Sequence, residues 1–215
     1  MDSKQKTKKI ISELKKLFPN PVTPLNHSNP WELYVAVALS AQQTDVGVNK
    51  VTDILFKKYK SLNDYQKVSL DEFEQDIRSI NFYKGKAKAI KKAADIVSVE
   101  HNGKMPETMD ELIKLPFVGR KTANVILQEA FGKSEGIVVD THVKRFSNLF
   151  GLTKNQDPVK IEKDLMEIVD KKDWREFGLG LIYYGRTYCK ASCKHTDCPL
   201  KEFVSNQFLD LKKSI

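Results

Sequence analysis

Apolar residues recur at intervals of three and four along nearly the whole chain, and this one periodicity leaves little choice of fold class. Ile10, Leu14, Leu17 and Phe18 form one stripe; Val48, Val51 and Leu55 form another; Phe73, Ile77 and Ile80 form a third. Ala87, Ile90, Ala94 and Val97 continue the pattern, as do Ile161, Leu165, Ile168 and Val169. Such spacing lines one side of a helix, whereas a strand would scatter the same residues over two faces. No sustained alternation of apolar and polar residues is present, and Ile137-Val138-Val139 is too short to build a sheet. The fold class expected is all-α.

Start signals agree with the stripes. Asn29-Pro30-Trp31-Glu32 supplies an N-cap, a proline at the first helical position and an acid three residues after the cap. Thr108-x-x-Glu111 and Asp157-Pro158 open two more helices in the same way. The segment from Trp31 to Leu39 is apolar on all sides, the mark of a helix at the centre of a bundle. Turn residues gather at 19–24, 102–106 and 132–136, and no internal repeat is visible.

With 215 residues the chain has room for one large or two small domains. Its longest apolar stretches, 33–41 and 179–184, fall short of the roughly 20 residues that a spanning helix needs. No apolar core follows the charged amino terminus, so a cytoplasmic location is expected. The 36 basic and 28 acidic residues leave a formal charge of +8, which suits a polyanionic partner but also describes any lysine-rich surface. Only three cysteines occur, Cys189, Cys193 and Cys198, clustered in one polar segment, which points to a metal site or its remnant rather than a disulfide framework.

The stretch from Met109 to Asp140 is the most informative. It reads as a short helix, the turn Leu115-Pro116-Phe117-Val118-Gly119, a second helix from Arg120 to Phe131, and a loop to Asp140. Ala123, Ile126, Leu127, Ala130 and Phe131 mark the buried face of the second helix, and at about 100° per residue Lys121 falls nearly opposite it. A hairpin of this kind aims backbone N–H groups and the positive end of a helix at one spot, as a phosphate contact requires. A plain helix connection would carry the same turn. Lys121 is read either as a solvated charge or phosphate contact, or as an amine able to attack an electrophilic carbon and form a Schiff base. Asp140, nineteen residues on and directly after an apolar triplet, is read either as a helix N-cap or as the acid partner of that amine.

Taken together, several motifs resemble the endonuclease III family of helix-hairpin-helix DNA glycosylases and abasic-site lyases. They are Leu39-Ser40-Ala41-Gln42-Gln43-Thr44-Asp45, Tyr83-x-x-Lys86-Ala87, Leu115-Pro116-x-Val118-Gly119-Arg120-Lys121-Thr122-Ala123-Asn124, Val139-Asp140-Thr141-His142 and Tyr184-Gly185-Arg186. The resemblance covers nearly the whole chain. It implies two helical domains flanking a DNA-binding cleft, a helical barrel over 23–134 and a second domain made of 1–22 with 135–215. It also implies a monomer that acts in base excision repair on duplex DNA containing damaged bases or abasic sites, associated with the nucleoid if the source is bacterial.

Roles follow position by position. Lys121 matches the nucleophile that attacks C1′, displaces an oxidised pyrimidine and leaves an imine from which β-elimination cuts the strand; Asp140 matches the carboxylate that assists. Gln42 matches the residue that plugs the gap left by the flipped base, and Phe82 stands where the family places an intercalating leucine. Thr44, Asp45 and His142 match the lesion pocket. Pro116, Phe117, Val118, Gly119, Arg120 and Thr122 match the hairpin that holds the DNA backbone, and Arg145 is a further phosphate candidate. Each has a plainer reading: helix caps for Thr44 and Asp45, a helix-terminal amide for Gln42, a core aromatic for Phe82, surface ion pairs for the arginines. The competing functions are a mismatch or alkylated-base glycosylase of the same fold and a non-catalytic DNA-binding protein.

Three departures matter. Phe117 and Asn81 stand where the family commonly has glycine, so either those turns do not need a left-handed backbone or they are altered. Family members commonly hold a four-iron four-sulfur cluster through Cys-x6-Cys-x2-Cys-x5-Cys, whereas here the series is Cys189-x3-Cys193-x4-Cys198, with Val204 at the place of a fourth cysteine. The expectation is therefore no cluster and no metal, the segment being held by Tyr184, Tyr188, Phe203 and Phe208; a zinc site of Cys189, Cys193, His195 and Cys198 is the alternative.

Overall fold

The computed structural model describes residues 2–194 and 197–205, so Phe208 and His195 lie outside the described residues. Eleven α-helices are formed there, in chain order α1 (Ser3–Leu17), α2 (Pro30–Ser40), α3 (Asp45–Lys58), α4 (Leu62–Lys67), α5 (Leu70–Asp76), α6 (Tyr83–Glu100), α7 (Met109–Leu112), α8 (Arg120–Phe131), α9 (Thr141–Leu149), α10 (Pro158–Ile168) and α11 (Trp174–Thr187). No strand occurs among the described residues. The chain divides into two compact units, a central one of Thr23–Lys133 and a terminal one in which Met1–Val22 joins Ser134–Ile215.

In the central unit α2 is the core helix. Leu33, Tyr34, Val35, Ala36 and Leu39 are wholly inaccessible, enclosed by α3, α6 and α8. Its ends are set by local chemistry. Asn29 Oδ1 accepts from the Glu32 amide at 2.9 Å, and the Glu32 carboxylate accepts in return from the Ser28 amide at 2.6 Å. At the other end the buried Lys86 ammonium, from α6, donates to the Leu39 and Ala41 carbonyls at 2.8 and 2.7 Å. A cation thereby satisfies carbonyls that the last turn leaves orphaned. The Phe73–Ile77–Ile80 stripe is buried as expected, yet α5 ends at Asp76. Tightened bonds such as Ile80 N to Ile77 O at 2.9 Å keep the three-residue spacing without a continuous helix.

The terminal unit gathers α1, α9, α10 and α11 around Ile10, Leu14, Phe146, Leu165, Phe177 and Leu181. Helix α1 packs on α11 at Gly180, where an added Cβ would come within 3.2 Å of the Leu14 side chain. Burying a side chain such as Leu14 contributes about 2 kcal/mol, so this contact carries much of the attachment of the amino-terminal helix to the later elements.

Candidate active site

The hairpin of the central unit is built from α7, the turn 113–119 and α8. Thr108 caps α7 and its hydroxyl meets the Glu111 carboxylate at 2.7 Å. Val118 is buried, and the Tyr34 hydroxyl of the core helix donates to the Pro116 carbonyl at 2.9 Å, fastening the turn to the centre of the unit. Burial around that phenol raises its pKa well above the ordinary value, so it remains a donor throughout the physiological range. Ala123, Ile126 and Leu127 are the buried face of α8, with Ala130 and Phe131 partly buried as the sequence pattern expects. The amides Asn124 and Gln128 are buried too, which the apolar pattern did not indicate.

Arg120 and Lys121 are exposed in the first turn of α8, and no side chain caps that helix. Gly119, its N-cap, has φ −94°, and an added Cβ there would meet nothing within 4 Å. Neither backbone geometry nor internal packing therefore demands a glycine at this position.

Four non-glycine residues among those described have left-handed backbones, and three of them are expected DNA contacts: Gln42 (φ 57°), Phe82 (58°) and Phe117 (62°). Each such residue costs roughly 1–2 kcal/mol, and strain of this kind clusters at functional sites. The turn at Phe117 thus keeps the glycine-like conformation and accepts a Cβ at that cost; neither simple alternative for this departure holds. At the second departure the left-handed residue is Phe82, not Asn81. The Asn81 amide instead donates to the Gln42 carbonyl at 2.7 Å, tying two of the candidate contacts together. Phe82 and Phe117 are 67% and 52% exposed, so Phe82 is not the core aromatic of the plainer reading. Thr44 caps α3, accepting from the Gly47 amide at 3.1 Å, and Asp45 begins that helix. Two cavities of the central unit, one lined by Trp31, Tyr59, Met105 and Phe131 and one by His27, Asp53 and Phe56, contain none of the candidate residues.

In the terminal unit Asp140 is the N-cap of α9. Its Oδ1 accepts from the amides of His142 and Val143 at 2.8 and 2.9 Å. Oδ2 takes no hydrogen bond among the described residues, so the cap fixes the carboxylate while one oxygen stays available. The capping and chemical readings are compatible.

A family model described as "HhH-GPD superfamily base excision DNA repair protein" matches residues 35–171. The chain is 48% identical over 192 residues to endonuclease III of Bacillus subtilis, covering 88% of this chain and 87% of that protein. Two solved structures, a non-covalent endonuclease III–DNA complex and a trapped endonuclease III–DNA covalent intermediate, each superpose with TM-score 0.90 at 43% identity. They cover 99% and 98% of this chain and all of their own. The chain belongs to the HhH-GPD superfamily.

Its function is that of an HhH-GPD base excision repair enzyme, a DNA glycosylase and abasic-site lyase. The family motif Tyr184-Gly185-Arg186 then has a structural reason. A Cβ on Gly185 would sit 2.2 Å from His142 Nδ1 and 3.0 Å from Phe146 Cε2, so the glycine is what lets the His142 ring lie against α11. Burial there lowers the His142 pKa, the neighbouring Arg145 and Arg186 push the same way, and Asp140 opposes them. Arg145, a phosphate candidate, is turned into its own unit. Its guanidinium covers the Phe146 ring at 4.1 Å and donates to the Cys189 and Lys190 carbonyls. The motifs had pointed to neither the Gly185 contact nor the Lys86 cap, because each depends on a partner remote in sequence.

The superfamily's endonuclease III members commonly carry a four-iron cluster, and the residues here do not make up its ligand set. Three thiols are present where four are needed. Val204, at the place of the fourth, packs against the apolar core. Yet Cys189, Cys193 and Cys198 converge, their sulfurs all within 4.8 Å of one another, which is a donor set able to bind a metal. Aromatic packing surrounds them: Tyr184 stacks with Tyr188 at 6.1 Å, and Phe150 meets Phe203 edge-on at 6.4 Å.

Proposed function

We propose that the chain is a bifunctional glycosylase and lyase for oxidised pyrimidines in duplex DNA, with Lys121 as nucleophile and Asp140 as its acid partner. The observation that carries this reading is the open start of α8, where an uncapped helix presents Lys121 beside a glycine that the protein's own packing does not require. A Cβ-free, N–H-rich edge suits a phosphate oxygen, which would bring the sugar ring within reach of the amine.

The steps follow from the groups. Lys121 Nζ attacks C1′, the C1′–N bond breaks, and the base leaves with the electron pair and takes up a proton. Asp140 Oδ2 stabilises the cationic sugar and accepts a proton from the attacking amine; the C1′–O4′ bond then breaks, O4′ leaving with the electron pair and taking up that proton, as the ring opens and the C1′–N bond becomes an imine. Loss of a C2′ proton then expels the 3′ phosphate, and water releases the enzyme. The trapped covalent intermediate of the relative at 43% identity supports the imine route.

Gln42, held by Asn81 and its left-handed backbone, fills the vacated stack, and Phe82 wedges beside it. Thr44 and Asp45, at the start of α3, and His142, in the first turn of α9, are assigned to contact with the lesion. Pro116, Phe117, Val118, Arg120 and Thr122 hold the backbone with Gly119. Arg145 braces the cysteine segment and is a further phosphate contact. Residues 23–134 and 1–22 with 135–215 serve as two domains of a monomer working in the cytoplasm, at the nucleoid if the source is bacterial, and no described helix is long and apolar enough to cross a membrane. The chemistry uses no metal, and the family cluster is absent, so purified protein shows no visible iron–sulfur absorbance.

Borohydride trapping on duplexes carrying an abasic site, thymine glycol or a mismatch tests this, run beside Lys121→Gln. Covalent capture with thymine glycol and the abasic site, lost in the variant, is expected. Trapping on neither duplex, with DNA binding retained, overturns the enzyme assignment; preference for the mismatch overturns the substrate.

A further inference from the structure

We propose that Cys189, Cys193 and Cys198 form a mononuclear site for a thiophilic divalent cation, zinc, in place of the family's iron–sulfur cluster. Three observations converge on it. The sulfurs are close: Cys193 and Cys198 are 2.9 Å apart and all three lie within 4.8 Å of one another. Around one zinc ion, with Zn–S bonds of about 2.3 Å, tetrahedral geometry sets sulfur–sulfur edges at about 3.8 Å. That edge lies between the 2.9 Å of the Cys193–Cys198 pair and the 4.8 Å within which all three pairs fall. A four-iron cluster places four metal ions and inorganic sulfides between its thiolates, which spreads them wider and needs the fourth ligand that Val204 does not provide.

The surroundings also suit a metal–thiolate group. Cys189 and Cys198 are buried and Cys193 is half-buried, so three sulfurs have been gathered out of water. Zinc with three thiolates carries a net charge of −1. The Arg145 guanidinium, 3.7 Å from Cys189 Sγ and bonded to the neighbouring carbonyls, supplies the compensating positive charge. Binding is balanced as one Zn²⁺ and three thiols giving the complex and three protons, with no change of oxidation state. A fourth donor, water in the simplest case, completes the tetrahedron. The site closes the segment after α11 on itself, and Arg145 ties that segment to α9, the element that Asp140 caps, so its role is to hold the segment rather than to react.

The test uses the full chain purified anaerobically, with metal content by mass spectrometry and Co²⁺ as a spectroscopic stand-in. About one zinc per chain, proton release on binding, and a Co²⁺–thiolate charge-transfer band displaced by zinc are expected. Cys198→Ser should weaken zinc binding at least 10-fold; should that variant fail to fold, the wild-type Co²⁺ spectrum and protection of three thiols from alkylation by zinc still decide. Zinc below about 0.2 equivalents with all thiols reactive, a visible band with stoichiometric iron, or a Cys193–Cys198 disulfide in fresh protein would each overturn the proposal. Borohydride trapping by Lys121 reads out separately, so failure of the metal site and failure of the lyase assignment are distinguishable.

Discussion

Two glycines of this chain have opposite reasons to be glycine. Gly185, in the terminal unit, is enclosed: His142 and Phe146 fill the space a side chain would take. Gly119, in the central unit, is open, and nothing in the protein comes within 4 Å of the missing Cβ. The contrast extends to their surroundings. Around Gly185 the start of the neighbouring α9 is capped by Asp140, the arginine is turned inward and the rings pack on one another. Around Gly119 the helix is uncapped, an aromatic residue is exposed in a strained backbone, and the lysine points to solvent. A region that has satisfied its own chemistry is structural; one that leaves its donors and its strain outstanding is prepared for a partner.

The contrast can be tested in descending order of effect. Lys121→Gln should lower strand cleavage at an abasic site by about 10³-fold or more while leaving the unfolding midpoint unchanged, since the side chain is solvent-facing. Gly185→Ala should act first on stability. Overpacking against His142 costs about 2 kcal/mol, a fall of about 4–8 °C in the midpoint by calorimetry. An unchanged midpoint would mean that the ring moves aside freely and that the enclosed reading is wrong. Gly119→Ala should leave the midpoint within about 1 °C yet weaken binding to an abasic-site duplex about 10-fold, because the methyl group occupies the phosphate's place. A loss of stability without a loss of binding would erase the distinction between the two glycines. Phe117→Gly should raise stability by about 0.5 kcal/mol, the relief of left-handed strain being partly offset by the entropy of a freer unfolded chain.

Acid provides a further probe of the enclosed side. The folded-state pKa of His142 lies below its unfolded value of about 6.5, so folding favours the neutral ring. Its contribution is complete above that pH, declines as the pH falls towards the folded-state pKa, and changes no further below it. The midpoint of the wild type should therefore drop on going from pH 7 to pH 5 by more than that of His142→Gln.

Much of this was legible from spacing alone. The stripes at Ile10–Leu14 and Ile161–Leu165, the cap at Asn29 and the buried face Ala123–Ile126–Leu127 follow from period and local capping, and all depend on neighbours within a turn or two. The gathering of three thiols was only half legible. Their clustering in sequence suggested a site, while the broken spacing argued for a metal-free segment, and only their three-dimensional convergence gives a donor set. Left-handed Phe82 and Phe117 were not legible, because residue type argues against such a backbone and only the surrounding structure holds it there.

By itself the sequence determined the helical class and the order of the elements, since these rest on residue identity and helical period, and its family motifs singled out Lys121 and Asp140 as the candidate pair. Tertiary structure decided what each residue does besides: Lys86 reaching across 47 positions to cap α2, Asp140 spending one oxygen on a cap and keeping the other, Gly119 left open and Gly185 filled. The reason is physical. Local propensity acts over a few residues, whereas a cap donor, a steric neighbour or a third sulfur is supplied by whichever segment folding brings alongside.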